Sequence, residues 1–232
     1  MDNLPFHIFL VFGLTVLLAV FLFYKATNYS KAFLILISVW IIAQIAISLT
    51  GFYKIANTNP PRFSLLLLPP LVMTIVIFNS PKGKRFIDNL DIKMLTLFHI
   101  IRIPVEVVLF WLFLNKAVPE LMTFEGRNFD ILSGLTAPLI YYFGFIKKKL
   151  SQSILLIWNL ICLGLLINIV TNAIFSIPST FQQFAFEQPN IAILQFLFVL
   201  LPSVLVPLVL FSHLVAIRKL LLNKISENFL AK

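Results

Sequence analysis

Blocks of about twenty apolar residues, separated by short polar loops, constrain this chain more than any other feature of its sequence. A helix of that length crosses the hydrocarbon core of a bilayer, which is roughly 30 Å thick. One block, FSLLLLPPLVMTIVIF at 63–78, contains no charged residue. Hydrophobic residues make up 60% of the chain and charged residues 12%, unlike the composition of soluble domains. The sequence therefore predicts an all-α, polytopic membrane protein.

The blocks predict a bundle of seven transmembrane helices, forming a single transmembrane domain over residues 1–232. Helices are the expected form because lipid offers no hydrogen-bond partner to an open backbone. The first block begins in MDNLPFHIFL, which lacks the basic residues of a signal peptide, so we expect a permanent span there. The predicted spans are about 4–23, 32–52, 63–78, 94–114, 131–146, 153–177 and 191–215.

The basic residues predict the orientation, because Lys and Arg accumulate in cytoplasmic loops. With the N-terminus outside and the C-terminus cytoplasmic, thirteen of the 18 basic residues lie inside, four lie outside and Arg102 lies within the fourth span. The net charge of +9 thus reflects topology and contact with anionic lipid, and gives no indication of nucleic-acid binding. The inside residues are Lys25, Lys31, Lys82, Lys84, Arg85, Lys93, Lys147, Lys148, Lys149, Arg218, Lys219, Lys224 and Lys232.

Three ionisable residues lie inside the fourth predicted span, in LFHIIRIPVEVVLFWLF. At 3.6 residues per turn, His99, Arg102 and Glu106 fall within about 60° of one helix face. Arg102 and Glu106 are spaced i,i+4, so they can pair and share the cost of leaving water. Ionisable groups in a membrane usually face a cavity or the bundle interior and are candidate functional groups. An Arg–Glu pair that only fixes helix packing is the alternative.

Polar residues of the sixth and seventh spans are the expected neighbours of this face. Asn159 and His213 are predicted at about the depth of His99 and Arg102. Two histidines at one depth raise the alternative of a metal or haem site, but the sequence offers no third ligand, so we predict no metal. Farther outward, Asn168 and Asn172 are spaced i,i+4 and are expected to face a neighbouring helix or the same cavity.

A second polar cluster lies on the predicted outer side, in TFEGRNFD before the fifth span. Glu125, Arg127, Asn128 and Asp130, together with Arg62 of the loop NTNPPRF, are interpreted as a gate over the mouth of the cavity. Asp130 at a helix start favours the simpler alternative of an N-cap.

These residues fit three classes of function. The first is a binder or carrier of a small polar or anionic molecule, with Arg102 as the anion partner and His99 and Glu106 as proton-responsive groups. The second is an intramembrane enzyme acting on a lipid or quinone, with His99 as general base. The third is a structural or partner-binding subunit. The lone Cys162 excludes an intrachain disulfide, and no residue pattern identifies a cofactor, a catalytic group or an oligomeric state.

Two stretches resemble a family of bacterial seven-span membrane proteins of uncharacterised activity. They are LMTFEGRNFDILSGLTAP at 121–138 and LPSVLVPLVLFSHLVAIRKL at 201–220. The resemblance implies a bacterial inner membrane and assigns no role to any residue.

Overall fold

Apolar helices joined by short turns form the fold. The computed structural model describes residues 4–55 and 58–230, and within those ranges the chain contains no β-strand. The prediction of an all-helical fold is confirmed for these residues. The α-helices are α1 (Phe6–Ala26), α2 (Lys31–Leu49), α3 (Ser64–Asn79), α4 (Pro81–Asp88), α5 (Ile92–Phe98), α6 (Arg102–Leu114), α7 (Ile131–Ile140), α8 (Gln152–Phe175) and α9 (Val206–Leu230).

Several of these helices are long and apolar enough to cross a membrane, which indicates a membrane-embedded protein. A 3-10 turn, His99–Ile101, joins α5 to α6. One π-helical turn, Tyr141–Ile146, extends α7, and another, Leu201–Leu205, leads directly into α9. Helices α3 and α4 form either a broken span or a re-entrant segment, bent by 91°, and Ile131–Ile146 is apolar but shorter. Within the described residues, five segments are candidate spans: Phe6–Ala26, Lys31–Leu49, Ile92–Leu114, Gln152–Phe175 and Leu201–Leu222.

The bend between α3 and α4 follows from the sequence NSPKG. Ser80 is extended, with ψ 145°, and its hydroxyl accepts a hydrogen bond from the N–H of Gly83 at 3.1 Å. Pro81 takes the first position of α4, where a missing N–H costs little. Gly83 is required because an added Cβ would lie 2.1 Å from the carbonyl oxygen of Ile77. The helix axis therefore turns sharply at this point.

The predicted seventh span begins ten residues later than expected, at the π-helical turn Leu201–Leu205 rather than at Ile191. Residues 191–200 form a 3-10 turn and a buried loop, in which Leu197 has φ 61°. The N–H groups of Ile191 and Ala192 donate to the carbonyl oxygen of Ala117, at 3.2 and 3.0 Å. Hydropathy predicts too long a helix because this loop is as apolar as a span, yet most of its side chains are buried within the protein.

Two helical segments occupy the centre of the bundle. Among the most apolar 18 residues of each candidate span, 61% are buried in Leu201–Leu222 and 50% in Ile92–Leu114, compared with 17% in α2. Helix α1 packs against α5 and α6, α8 packs along α9, and α7 lies beside the 3-10 turn that joins α5 to α6. Side chains on α6 and α9 therefore meet in the interior.

Candidate functional site

The ionisable residues of the fourth predicted span lie in the interior of the protein. His99 begins the 3-10 turn, Arg102 begins α6 and Glu106 lies one turn farther along. Their exposed fractions are 1%, 2% and 1%. Pro104 falls within the first turn of α6, where its missing N–H is tolerated. The three side chains share an interior face, but their partners differ from those the sequence predicts.

Arg102 pairs with Asp130 rather than with Glu106. An Arg102 Nη1 to Asp130 Oδ1 distance of 2.5 Å joins the start of α6 to the start of α7. The two helices approach closely at Gly134, which has no side chain. An added Cβ there would lie 2.9 Å from the Ile103 side chain. The i,i+4 spacing makes an Arg102–Glu106 pair possible, but in the described part of the chain the ion pair of Arg102 is with an acidic group from another segment. The N-cap alternative is wrong, since Asp130 makes no side-chain cap hydrogen bond.

Asn128 holds Glu106 in place. Its Nδ2 lies 2.7 Å from both carboxylate oxygens of Glu106 and 3.0 Å from the carbonyl oxygen of Met122. Its Oδ1 accepts a hydrogen bond from the N–H of Asp130 at 3.0 Å. Asn128 is fully buried. The loop before α7 therefore folds into the protein and supplies groups to the interior.

The five residues interpreted as an outer gate thus lie in three different surroundings. Asn128 and Asp130 belong to the buried network, which differs from their expected place at a rim. Glu125 and Arg127 are exposed. Arg62 lies over the ring of Phe52, with 4.7 Å between its guanidinium carbon and the ring centroid, so it contacts the 3-10 turn Phe52–Lys54 that follows α2.

His213 of α9 is bonded at both ring nitrogens. Arg102 Nη2 lies 3.0 Å from its Nε2, and because a guanidinium only donates, Nε2 is the acceptor. Nδ1 therefore carries the proton and donates to Oδ1 of Asn159 at 2.9 Å. The amide of Asn159 in turn donates to the carbonyl oxygen of Leu155 at 2.9 Å. The network fixes His213 as a neutral imidazole with a defined tautomer.

His99 stacks on His213, with ring centroids 3.9 Å apart and an interplanar angle of 13°. Its Nε2 lies 3.1 Å from Oγ of Ser212, whose own proton is directed to the carbonyl oxygen of Val209. In the hydrogen bond between His99 and Ser212, the proton therefore lies on Nε2 of His99. The buried Nδ1 of His99 has no hydrogen-bond partner in the described part of the chain. Ser212 is a site residue that no sequence pattern singled out.

This geometry gives no support to the metal or haem alternative. Stacked rings 3.9 Å apart leave no space for a haem between them, and both nitrogens of His213 are occupied. Across residues 4–55 and 58–222, no group of three or more His, Cys, Asp or Glu side chains is placed to hold a metal ion.

The two outer asparagines of α8 lie away from the histidines. Asn168 is exposed and donates to the carbonyl oxygen of Arg127 at 2.8 Å. Asn172 is buried, and its Nδ2 is 3.5 Å from Oδ1 of Asn168. Asn168 therefore fastens the loop before α7 to α8, and neither asparagine lines the cavity beside Arg102.

A cavity of about 70 Å³ lies beside the buried network, between α6, α8 and the start of α9. Arg102, Glu106 and Asp130 are the ionisable groups in its wall, which is otherwise apolar. One water requires about 10–15 Å³ of cavity volume, so the space admits several waters or a small molecule. His99 and His213 lie behind this wall rather than in it.

Fold and site together define a class of protein: a helical, membrane-embedded protein with a buried polar network assembled around one arginine. The chain belongs to a family defined by a domain of unknown function (DUF8737), whose model matches residues 60–221. This segment contains the whole buried network, and it begins after α1 and α2. No curated protein and no solved structure matches the chain.

Proposed function

We propose that the protein binds a small polar molecule in the cavity beside Arg102, Glu106 and Asp130, and carries it across the membrane. The supporting observation is that three ionisable side chains share the wall of one otherwise apolar cavity inside the bundle. Placing such groups in a bilayer is costly, and they commonly mark the path of a substrate or ion. Purely structural groups need not face a cavity.

The charges of the cavity wall favour a hydrogen-bond donor or cation over a free anion. Asp130 already supplies the counter-charge of Arg102, and His213 accepts from a second guanidinium nitrogen, so an anion would compete with Asp130 for the positive charge. The buried Nε–H of Arg102 has no partner in the described part of the chain, and it could donate one hydrogen bond to a neutral ligand. Glu106 receives both its hydrogen bonds from Asn128, whereas a carboxylate has about four acceptor positions. Glu106 is therefore the group with acceptor capacity left for a ligand.

The intramembrane enzyme has less support from this geometry. A general base must come within hydrogen-bond reach of its substrate. His99 is 1% exposed, lies outside the cavity wall and is covered by His213 on one ring face. His99 would therefore have to move to reach a substrate in the cavity, whereas Glu106 already lies in the cavity wall.

We also propose the full topology: seven spans, with the N-terminus outside and the C-terminus in the cytoplasm. The five candidate spans supply most of this count, and α3 and Ile131–Ile146 are the two further apolar helices. The excess of basic residues on the inner side supports the orientation. The likeness to bacterial seven-span proteins favours an inner (cytoplasmic) membrane.

Native mass spectrometry of the protein in a mild detergent tests the binding proposal. Glu106→Gln keeps the shape of the side chain and one of its two hydrogen bonds from Asn128, but it removes the second acceptor oxygen and the charge. Glu125→Gln is the matched control, because Glu125 is an exposed carboxylate in the loop that carries Asn128.

We expect a small bound mass in the wild type and in Glu125→Gln, and its loss from Glu106→Gln. The same bound mass in Glu106→Gln would contradict the role of Glu106. No bound mass in any of the folded proteins would contradict binding itself.

A further inference from the structure

We propose that a second site, distinct from the cavity beside Glu106, holds one acyl chain of an anionic phospholipid with its phosphate at Lys82. The site is a cleft of about 480 Å³ between α2, the α3–α4 bend and α9. It shares no lining residue with the cavity beside Glu106, so this proposal is independent of the proposed function.

The cleft has the length and lining suited to a lipid chain. Its wall runs along α2 from Ser30 to Trp40, which is about 15 Å at 1.5 Å per residue. That is half of the roughly 30 Å hydrocarbon thickness, or one leaflet. Apolar side chains line it from three sides, among them Ile37, Met73, Ile77, Leu208 and Phe211.

The far end of the cleft is closed by a hydrogen bond between helices. Pro207 has no N–H, so the carbonyl oxygen of Ser203 lacks its usual helical donor. Trp40 Nε1 of α2 donates to that oxygen instead, at 2.8 Å. All three residues line the cleft, and this end presents no free charge to a ligand.

The opposite end of the cleft is polar and basic. Ser30, Ser80 and Lys82 line it, and the two serine side chains already cap α2 and α4. The turn that precedes Ser30 and the turn after α4 are joined, since Asn28 Nδ2 donates to the carbonyl oxygen of Asn89 at 2.7 Å. The cleft therefore has one polar end, as a lipid with a single headgroup requires.

The charge around this end complements a phosphate. Lys82 lines it, and further exposed basic residues lie close in sequence to its lining residues, whereas the neighbouring acidic side chains are engaged elsewhere. Asp88 pairs with Arg218 at 2.8 Å, and Asp91 accepts a hydrogen bond from the N–H of Lys93 at 2.8 Å. A basic residue near a membrane surface contributes about 1 kcal/mol to attraction of anionic lipid. The exposed basic residues are Lys25, Lys31, Lys82, Lys84 and Arg85.

Native mass spectrometry of delipidated protein, with phosphatidylglycerol or phosphatidylcholine of identical acyl chains added, tests the proposal. Lys82→Gln removes the basic group at the cleft, and Lys149→Gln is the control, because Lys149 is exposed and lies outside the cleft. Ala32→Trp places a bulky side chain in the cleft from an exposed position of α2, so circular dichroism should show an unchanged helix content.

We expect one phosphatidylglycerol to be retained in preference to phosphatidylcholine. Lys82→Gln should weaken its binding about fivefold and Lys149→Gln should not change it. Ala32→Trp should abolish the adduct. Equal retention of the two lipids, or equal effects of the two lysine variants, would overturn the phosphate site. Full retention by Ala32→Trp would overturn the cleft as the location.

Discussion

Replacing Asp130 with asparagine tests how the buried arginine is stabilised. Arg102 and Asp130 approach to 2.5 Å with side-chain exposures of 3% and 8%, so the variant leaves a buried guanidinium without its counter-charge. Removing one partner of a buried ion pair costs about 3–5 kcal/mol. The pair of Arg218 and Asp88 is a matched control, because it has a similar distance of 2.8 Å but exposures of 24% and 54%. Exposed pairs contribute about 0–1 kcal/mol.

Reversible unfolding in mixed micelles, followed by tryptophan fluorescence, gives the free energies of unfolding. We expect Asp130→Asn to lower the free energy of unfolding by about 3–5 kcal/mol and Asp88→Asn by less than about 1 kcal/mol. Glu106 lies one helical turn from Arg102 and can partly replace Asp130 as its counter-charge. The double variant Asp130→Asn with Glu106→Gln should therefore lower the free energy of unfolding by more than the sum of the single variants. Equal costs for Asp130→Asn and Asp88→Asn would refute the account of the buried pair.

Two further variants test the packing and the topology. Gly134→Ala should destabilise the protein by about 1–3 kcal/mol, because the added methyl overlaps α6, whereas Gly164→Ala, with open space around it, should have no such cost in the same unfolding assay. In a Cys162→Ser background, cysteine at Glu125 should react with a membrane-impermeant maleimide added outside intact cells, and cysteine at Lys149 should react only after lysis. The reverse labelling would contradict the proposed orientation.

The helices could be predicted from the sequence because the apolar blocks are long and the loops between them are short. The failures occur where apolar residues are covered by protein instead of lipid. Residues 191–200 are as apolar as a span but form a buried loop, and hydropathy does not distinguish these two surroundings. The sharp bend at Ser80 and Pro81 was not predicted either, although a serine followed by proline is a typical helix start.

The candidate site was predicted in part. Helical periodicity placed His99, Arg102 and Glu106 on one face, and depth counting suggested the neighbours on α8 and α9. Periodicity says nothing about contacts between segments far apart in sequence, so the pairing of Arg102 with Asp130, 28 residues away, was missed. Asp130 is one of few acidic residues bordering an apolar block, and that scarcity was the available signal for its pairing with the buried arginine.

Electron cryo-microscopy of the detergent-extracted protein is the most direct test of the central claim, that the cavity beside Glu106 binds a ligand. We predict non-protein density within hydrogen-bond distance of a Glu106 carboxylate oxygen, and its absence from Glu106→Gln. A cavity without such density in the wild type, with Arg102 and Asp130 still paired, would contradict the binding account and favour a structural role for the buried network.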